Sequence, residues 1–168
     1  MIKLTQSINN KPSAIRYPRD FAFEYNNNNN FQKILIGKGK ILKKGKKIAF
    51  LNLGTRLKKV LEINEMIINH YKLNCTVVDM RFAKPIDTKL IQNLNKTHDI
   101  FITIEENAIG GFSSQVNDFL INKLNKTPKI LNFFMKDEFI DQSDIDDQYN
   151  KSGISKELIF DKVSMLLK

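Results

Sequence analysis

The sequence carries two adjacent glutamates, Glu105 and Glu106, directly after the apolar run 100–104. Paired carboxylates can serve as the acid and the base of an enzyme. Neighbouring side chains on a β-strand point to opposite faces of the sheet, however, so these two carboxylates cannot easily converge on one substrate. We therefore expect a structural role, in which a carboxylate accepts backbone N–H groups of the loop 107–112 or contacts a partner chain.

Two glycine-containing stretches and one pair of arginines are candidates for anion binding. Gly110-Gly111 lies just ahead of a predicted helix, where N–H groups can bind an anion. Gly37-Lys38-Gly39 does not lie between a strand and a helix, and no complete phosphate-loop motif is present, so we expect tight turns at both places. Arg16 and Arg19 flank Tyr17-Pro18 in a chain with 23 Lys and only 4 Arg. A clamp on phosphate or carboxylate and a local salt bridge are both open interpretations of these arginines.

The histidines and the cysteine show no pattern for nucleophilic catalysis. His70 ends a predicted helix, where a cation is favourable, and His98 precedes a strand, where it can form local hydrogen bonds. Cys75 opens an apolar strand and is expected to be a small buried hydrophobe. One cysteine and two histidines exclude an internal disulfide and a multi-cysteine or histidine-rich metal centre.

The net charge of +9 comes mainly from lysine, a residue that AT-rich codons favour together with asparagine and isoleucine. Nucleic-acid readers depend on arginine, which is scarce here, so we predict a solvated lysine surface and no nucleic-acid partner. We predict no contact with a membrane, because no apolar run approaches the roughly 18 residues of a membrane span.

The start of the chain differs in pattern from the rest. A short strand over 14–17 ends at Pro18 and has nothing before it to pair with, and 26–30 is a run of five asparagines. We expect residues 1–19 to be the tail end of a preceding domain, 20–31 to be an Asn-rich linker, and 32–168 to form one domain.

From residue 32 onwards, strands and helices alternate. We predict strands over 48–53, 75–80, 100–104 and 129–135. Helices follow them, begun by Thr55, by Asp87 and by Ser113 or Ser114, with a closing helix over 157–167. The lysines around Gly45 predict a charged hairpin. The alternation predicts a three-layer α/β fold with a mostly parallel sheet, whose ligands would lie beyond the carboxyl ends of the strands.

Four stretches in this order and spacing resemble one family. They are PSAIRYPR at 12–19, IGKG at 36–39 followed by LGT at 53–55, VVDMRFAKPID at 77–87, and EENAIGGF at 105–112. Together they resemble the carboxyl-terminal part of the 1-deoxy-D-xylulose-5-phosphate synthases. The resemblance implies a transketolase C-terminal-like fold, preceded at 1–19 by the end of a pyrimidine-binding domain.

The resemblance also implies a reaction. Enzymes of this family use thiamine diphosphate and Mg²⁺ to condense pyruvate with glyceraldehyde 3-phosphate, which supplies isoprenoid and thiamine synthesis. The cofactor and catalytic domains are not in this stretch. We therefore expect no catalytic, cofactor or metal residues here, no activity of this chain alone, and the rest of the same polypeptide and a second subunit as partners.

One site residue follows from the resemblance. The second arginine of the RYPR motif, Arg19 here, is implied to hold the substrate phosphate. Asp20 stands where the family usually has glycine, and its carboxylate would compete for Arg19. The composition and the asparagine run, with the family, imply a relict plastid. Two alternatives stay open: the C-terminal domain of another thiamine enzyme, such as a transketolase or a 2-oxoacid dehydrogenase β subunit, and a free-standing basic binding module.

Overall fold

The computed structural model describes residues 2–14 and 34–167 of a chain that divides into two compact units, Met1–Ile36 and Gly37–Lys168. In the first unit the described residues form one short helix, α1 (Ile2–Gln6), which the sequence did not predict. The predicted strand over 14–17 lies, from its second residue on, outside the described residues. The predicted linker over 20–31 and the arginines at 16 and 19 lie outside them as well.

The second unit contains the predicted alternation of strands and helices. Its elements are β1 (Lys40–Lys43), β2 (Lys47–Asn52), α2 (Leu57–Tyr71), β3 (Thr76–Asp79), α3 (Thr88–Asn95), β4 (His98–Ile104), α4 (Phe112–Asn122), β5 (Lys129–Phe133), α5 (Ile145–Ser152) and α6 (Lys156–Met165). The four predicted strands are confirmed as β2 to β5, and the four predicted helices as α2, α3, α4 and α6. The sequence predicted β1 only as one arm of a hairpin, and it did not predict α5. None of the helices over the described residues combines the length and the apolarity that crossing a membrane requires.

The five strands form one sheet in the order β1-β3-β2-β4-β5, and only β1 runs antiparallel to its neighbour among the strands over 34–167. In the centre, Phe50 lies opposite Val77 on one side and Ile102 on the other. The central strands are nearly continuous apolar runs because both of their faces are buried. The prediction of a mostly parallel sheet in a three-layer fold is confirmed.

The predicted hairpin around Gly45 is wrong, because β3 lies between β1 and β2 in the sheet. The connection 44–46 instead passes over the start of β3, where the Gly45 N–H donates to Thr76 Oγ1 at 3.0 Å. A Cβ atom at Gly45 would lie 2.0 Å from the carbonyl oxygen of Asn74. Lysine pairs and a glycine indicated a turn correctly, but they do not show which strand pairs with which.

Two apolar layers hold the helices against the sheet. On one face α2 and α6 pack over the even-numbered side chains of β4, such as Ile102 and Ile104. On the other face α3 and α4 cover Phe101 and the inward side chains of β2 and β3. Helices on both faces leave the ends of the parallel strands, and the loops that follow them, as the accessible edge of the sheet.

Polar groups at the opposite edge are satisfied locally. His98 is buried, its Nδ1 lies 3.0 Å from Leu94 O, and its Nε2 lies 2.8 Å from Thr76 Oγ1. A carbonyl oxygen can only accept, so Nδ1 carries the proton that is donated to Leu94 O. The Cys75 thiol is buried, and burial raises its pKa to about 12. The predictions of local hydrogen bonding for His98 and of a buried Cys75 are confirmed.

Candidate functional site

The parallel strands β2, β4 and β5 end at the same edge of the sheet, which we call the carboxyl edge. The loops 53–56, 105–111 and 134–144 follow these strands. They carry the two glutamates that the sequence indicated, and helices α2 and α4 begin there. Folds of this class place their ligands beyond this edge, so it is the candidate functional site.

Glu105 is buried against the start of α4, with a relative exposure of 1%. Its two carboxylate oxygens accept hydrogen bonds from the backbone N–H groups of Phe112 and Ser113, both at 2.7 Å. A Cβ atom at Gly111 would lie 2.2 Å from Glu105 Oε2, so a glycine is needed where the carboxylate meets the helix. The prediction that a carboxylate accepts N–H groups of this loop is confirmed. The predicted cap by Ser113 or Ser114 is wrong, because Glu105 takes that place.

Glu106 points to the opposite face of the sheet, as the strand geometry predicts. Its Oε1 accepts hydrogen bonds from the hydroxyl groups of Thr55 and Tyr149. Thr55 therefore does not cap α2, whose N-cap residue is Arg56, and no side chain of the described residues caps that helix. Glu106 joins the end of β4 to the loop after β2 and to α5.

Arg56 also belongs to this network, through its contact with Tyr149. Its guanidinium carbon lies 3.7 Å from the centre of the Tyr149 ring, and its Nη2 donates to Ile154 O at 3.2 Å. The side chain is only 4% exposed, and its Nε has no hydrogen-bond partner within the part of the chain that the structure describes. The cation is therefore stabilised by the aromatic ring and by one carbonyl, an arrangement that suits the flat, weakly hydrated guanidinium better than an ammonium group.

The phenol of Tyr149 is shifted by its surroundings. Burial raises the pKa of Tyr149 above its ordinary value of 10.0, and the hydrogen bond to Glu106 raises it further. The nearby Thr55 hydroxyl and Arg56 oppose that shift. The phenol is a stable hydrogen-bond donor at neutral pH and is not poised to act as a base.

Asp87 caps α3 as predicted and also binds the residues just before β1. Its carboxylate accepts from the N–H groups of Leu90 and Gly39, each at 3.2 Å, and from Lys38 Nζ at 3.2 Å. Gly39 allows this approach, since a Cβ atom there would lie 2.9 Å from Leu90 Cδ2. The stretch 37–39 thus positions the carboxylate that caps α3. This agrees with the expectation of a tight turn there.

A groove of about 480 Å³ opens at the carboxyl edge between the loop after β4 and the loop after β5. Its walls are the segments 106–108 and 135–140. The Met135 N–H donates to Asn107 O at 2.9 Å, which fixes the spacing of the two walls. Phe139, on the second wall, is fully exposed.

These groups do not form an acid–base pair, because Glu105 and Glu106 face opposite sides of the sheet and both are engaged. They do not fit a diphosphate either: the N–H groups at the start of α4 are taken by a carboxylate, which would repel a second anion. Across residues 2–14 and 34–167, no group of three or more His, Cys, Asp or Glu side chains is placed to hold a metal ion. The described groove therefore lies beside carboxylates that are already engaged in structural hydrogen bonds.

Arg56 and Tyr149 are the residues of this site that the sequence did not single out. Arg56 is one of only four arginines, and the choice of arginine in a lysine-rich chain is a signal that could have found it. Tyr149 lies in a polar segment with no recognisable pattern, and only the fold brings it to Glu106. The predicted phosphate ligand, Arg19, lies outside the described residues and stays a prediction.

Comparison with known proteins places these features in a family. The family profile described as "Transketolase, C-terminal domain" matches residues 37–159. The 1-deoxy-D-xylulose-5-phosphate synthase of Psychromonas ingrahamii is 40% identical over 156 residues, which are 89% of this chain and 24% of that protein. The enzyme of the same name from Aliivibrio fischeri strain MJ11 is 48% identical over 139 residues, or 78% of this chain and 21% of that protein.

A solved structure agrees with the sequence comparison. The structure titled "Split gene transketolase, inactive beta4 tetramer" superposes with a TM-score of 0.71 at 27% identity and covers 80% of this chain and 43% of that one. The chain spans about a quarter of the length of the curated relatives it matches. On its profile match and its sequence identity, this chain belongs to the transketolase C-terminal domain family and is similar to a quarter-length part of the 1-deoxy-D-xylulose-5-phosphate synthases.

Proposed function

We propose that this chain is the C-terminal domain of a 1-deoxy-D-xylulose-5-phosphate synthase. The observation that carries the proposal is identity of 40–48% to enzymes of that name over most of the chain. The proposed reaction condenses pyruvate with glyceraldehyde 3-phosphate, releases carbon dioxide, and supplies isoprenoid and thiamine synthesis. A relict plastid remains the proposed location.

The domain's part in this reaction is architectural. The described carboxyl edge offers no acid–base pair and no place for a diphosphate, so thiamine diphosphate and Mg²⁺ would be held by the rest of the enzyme. The domain would be inactive alone and would work in a dimer of full-length subunits. Arg19 would bind the phosphate of glyceraldehyde 3-phosphate through its guanidinium fork.

A transketolase is the second candidate, and the superposition on a split-gene transketolase supports it. The identity to that structure is 27%, whereas the identity to the synthases is 40–48%, so the synthase is the better supported of the two. A free-standing basic module has only the charge of +9 in its favour.

The test supplies the missing part of the enzyme in trans. The part of the Psychromonas ingrahamii synthase outside its matched quarter is co-expressed with this chain, and product formation from pyruvate and glyceraldehyde 3-phosphate is measured with thiamine diphosphate and Mg²⁺. We expect activity only when this chain is present. Arg19→Ala should raise the KM for glyceraldehyde 3-phosphate by about tenfold or more, since a charge-assisted contact to phosphate is lost.

The control variant is Arg19→Lys, which keeps the charge but loses the two-pronged geometry and should fall between wild type and Arg19→Ala. Activity that is equal in all three chains would remove Arg19 from the site and leave the family assignment standing. Product formed by this chain alone, or transketolase activity of the combined enzyme without deoxyxylulose phosphate, would contradict the proposed function.

A further inference from the structure

Exposed apolar side chains gather at the carboxyl edge. Phe139 has a relative exposure of 107% and lies on a wall of the groove. Ile109, in the loop after β4, and Ile145, the first residue of α5, are also exposed. The other exposed large apolar residues described in the unit Gly37–Lys168 are Ile121 and Met165, near the last residues of α4 and α6. The end of α4 lies toward the opposite edge, because a helix that connects two parallel strands runs back along them. The end of α6 lies there too, since the ring of Phe160 in α6 is 5.2 Å from that of His70 in the last turn of α2.

The wall that presents Phe139 is anchored at its base. The backbone N–H of Met135 donates to Asn107 O at 2.9 Å, and the backbone N–H of Lys136 donates to Ser152 O at 3.4 Å. The ring of Phe139 is nevertheless left uncovered by the apolar surface of the described residues. The Phe139 ring is exposed to water, its loop is anchored by hydrogen bonds, and it lies beside a groove. Exposed aromatic residues of this kind are typical anchors of protein–protein interfaces.

The same loop is acidic in a basic chain. The segment 137–147 holds six acidic residues and neither Lys nor Arg. Three of them serve α5: Asp144 caps it through the Asp147 N–H at 2.9 Å, and Asp146 and Asp147 lie in its first turn. Of the remaining three, Glu138 contacts Lys136 at 3.4 Å. Asp137, on the groove wall, and Asp141, directly after that wall, have no such local role among the residues that the structure describes. The groove and the segment that follows it therefore favour a partner with basic groups.

We propose that the groove between 106–108 and 135–140 is the surface on which this domain docks to the rest of the synthase, with Phe139 as the anchor. This inference rests on the proposed function and names the surface that joins the two parts. The chain spans about a quarter of its synthase relatives, so a much larger part of the enzyme is available as the occupant. We expect the rest of the synthase to provide an apolar pocket for the Phe139 ring, with Lys or Arg side chains that face Asp137 and Asp141.

The experiment measures association and activity separately. The full chain is titrated by calorimetry against the part of the Psychromonas ingrahamii synthase outside its matched quarter. Phe139→Ala should weaken the Kd by roughly 10- to 100-fold, the usual effect of truncating an aromatic anchor. Asp137→Lys should weaken it less, and raising the NaCl concentration should weaken wild type more than Asp137→Lys. The matched control is Ile121→Ala, an exposed apolar truncation at the opposite edge, which should stay within about twofold of wild type.

The outcomes separate the two proposals. Association of wild type that Phe139→Ala leaves unchanged overturns the docking surface. The docking surface is also overturned if the wild-type chain does not associate with the rest of the synthase. It is overturned too if the wild-type chain self-associates and Phe139→Ala abolishes this, since the occupant of the groove would then be a second copy. Association that depends on Phe139 but yields no product supports the surface and counts against the proposed reaction. Equal urea midpoints of the variants and wild type confirm that only the surface has changed.

Discussion

Adjacent glutamates at the end of β4 show how one strand serves two faces of a sheet. Glu105 stabilises the start of α4 on one face, and Glu106 binds Thr55 and Tyr149 on the other. Side chains alternate between the two faces along a strand, so these two carboxylates are neighbours in the sequence but cannot act on the same group. Both carboxylates contribute to the geometry of the carboxyl edge.

At the residue scale, Glu105→Gln should destabilise the chain by about 2 kcal/mol. The amide keeps one acceptor but turns an NH₂ group toward a backbone N–H, so a buried donor loses its partner. Urea unfolding of the full chain measures the difference. Glu106→Gln is the control and should cost about 1 kcal/mol or less, because hydroxyl partners can accept as well as donate. Equal losses in the two variants would contradict the assignment of backbone partners to one carboxylate and hydroxyl partners to the other.

Tyr149 leads to a prediction about alkaline pH. Its pKa is raised in the folded chain, so the stability that the phenol contributes is fully present below its ordinary pKa of 10.0 and is lost as pH rises through the folded value. The stability gap between wild type and Tyr149→Phe should therefore be constant near pH 8 and shrink above pH 10. Urea unfolding of both chains across this range provides the measurement. A gap that grows with pH would show that the phenolate is the favoured form.

At the scale of elements, β1 depends on the connection that leads away from it. The segment 44–46 crosses the start of β3, and the Asn74 Nδ2 group donates to Lys44 O at 3.0 Å across that crossing. β1 can pair with β3, and β2 can lie on the other side of β3, only if the chain passes at this close distance. Gly45 is therefore required by the order of the strands.

Gly45→Ala should lower stability by about 3 kcal/mol or more, because its new methyl group meets backbone atoms at 2.0–2.5 Å. Gly39→Ala is the matched comparison: there the nearest atom, at 2.9 Å, is the end of the Leu90 side chain, which can move. We expect it to cost about 1 kcal/mol. Thermal unfolding of the two variants ranks them, and a Gly45→Ala chain as stable as wild type would mean that the crossing has room for a methyl group.

The sequence was sufficient for the central strands and their helices and insufficient for the pairing of β1 and for α5. β2 and β4 are apolar on both faces, and Asp87 precedes a helical pattern, so local signals agree with the fold. β1 is four residues long, begins and ends with lysine, and pairs with a strand some 35 residues later, so no local pattern reveals its partner strand. In α5, the residues other than Ile145 and Tyr149 are polar, and the site contact of Tyr149 comes entirely from the fold.

At the scale of the whole molecule, an acidic and a basic segment lie at opposite sides of the sheet. The acidic loop 137–147 lies after β5 at one side of the sheet, and the lysine-rich segment 38–47 includes β1 at the other. Lysines on an edge strand are an effective protection against pairing with other sheets. The positive charge therefore has a structural use that needs no nucleic-acid partner.

This interpretation predicts weak, non-specific binding to DNA. The full chain should bind duplex DNA with a Kd above about 1 μM at near-physiological salt, with little preference for sequence, and added salt should weaken it further. Fluorescence anisotropy at several NaCl concentrations tests this, with free polylysine as a comparison for a purely electrostatic binder. A Kd well below micromolar that persists at high salt would favour the basic binding module instead.

The position of β1 also has a consequence for synthesis on the ribosome. Ile41 pairs with Val78, so β1 leaves the ribosome before the strand that completes its hydrogen bonds has been made. At about 5–20 residues per second, the wait lasts on the order of seconds, long compared with the time a nascent strand needs to find a wrong partner. A strand whose side chains are half lysine remains hydrated during that interval. The lysines of β1 thus protect the nascent chain before they serve the finished sheet.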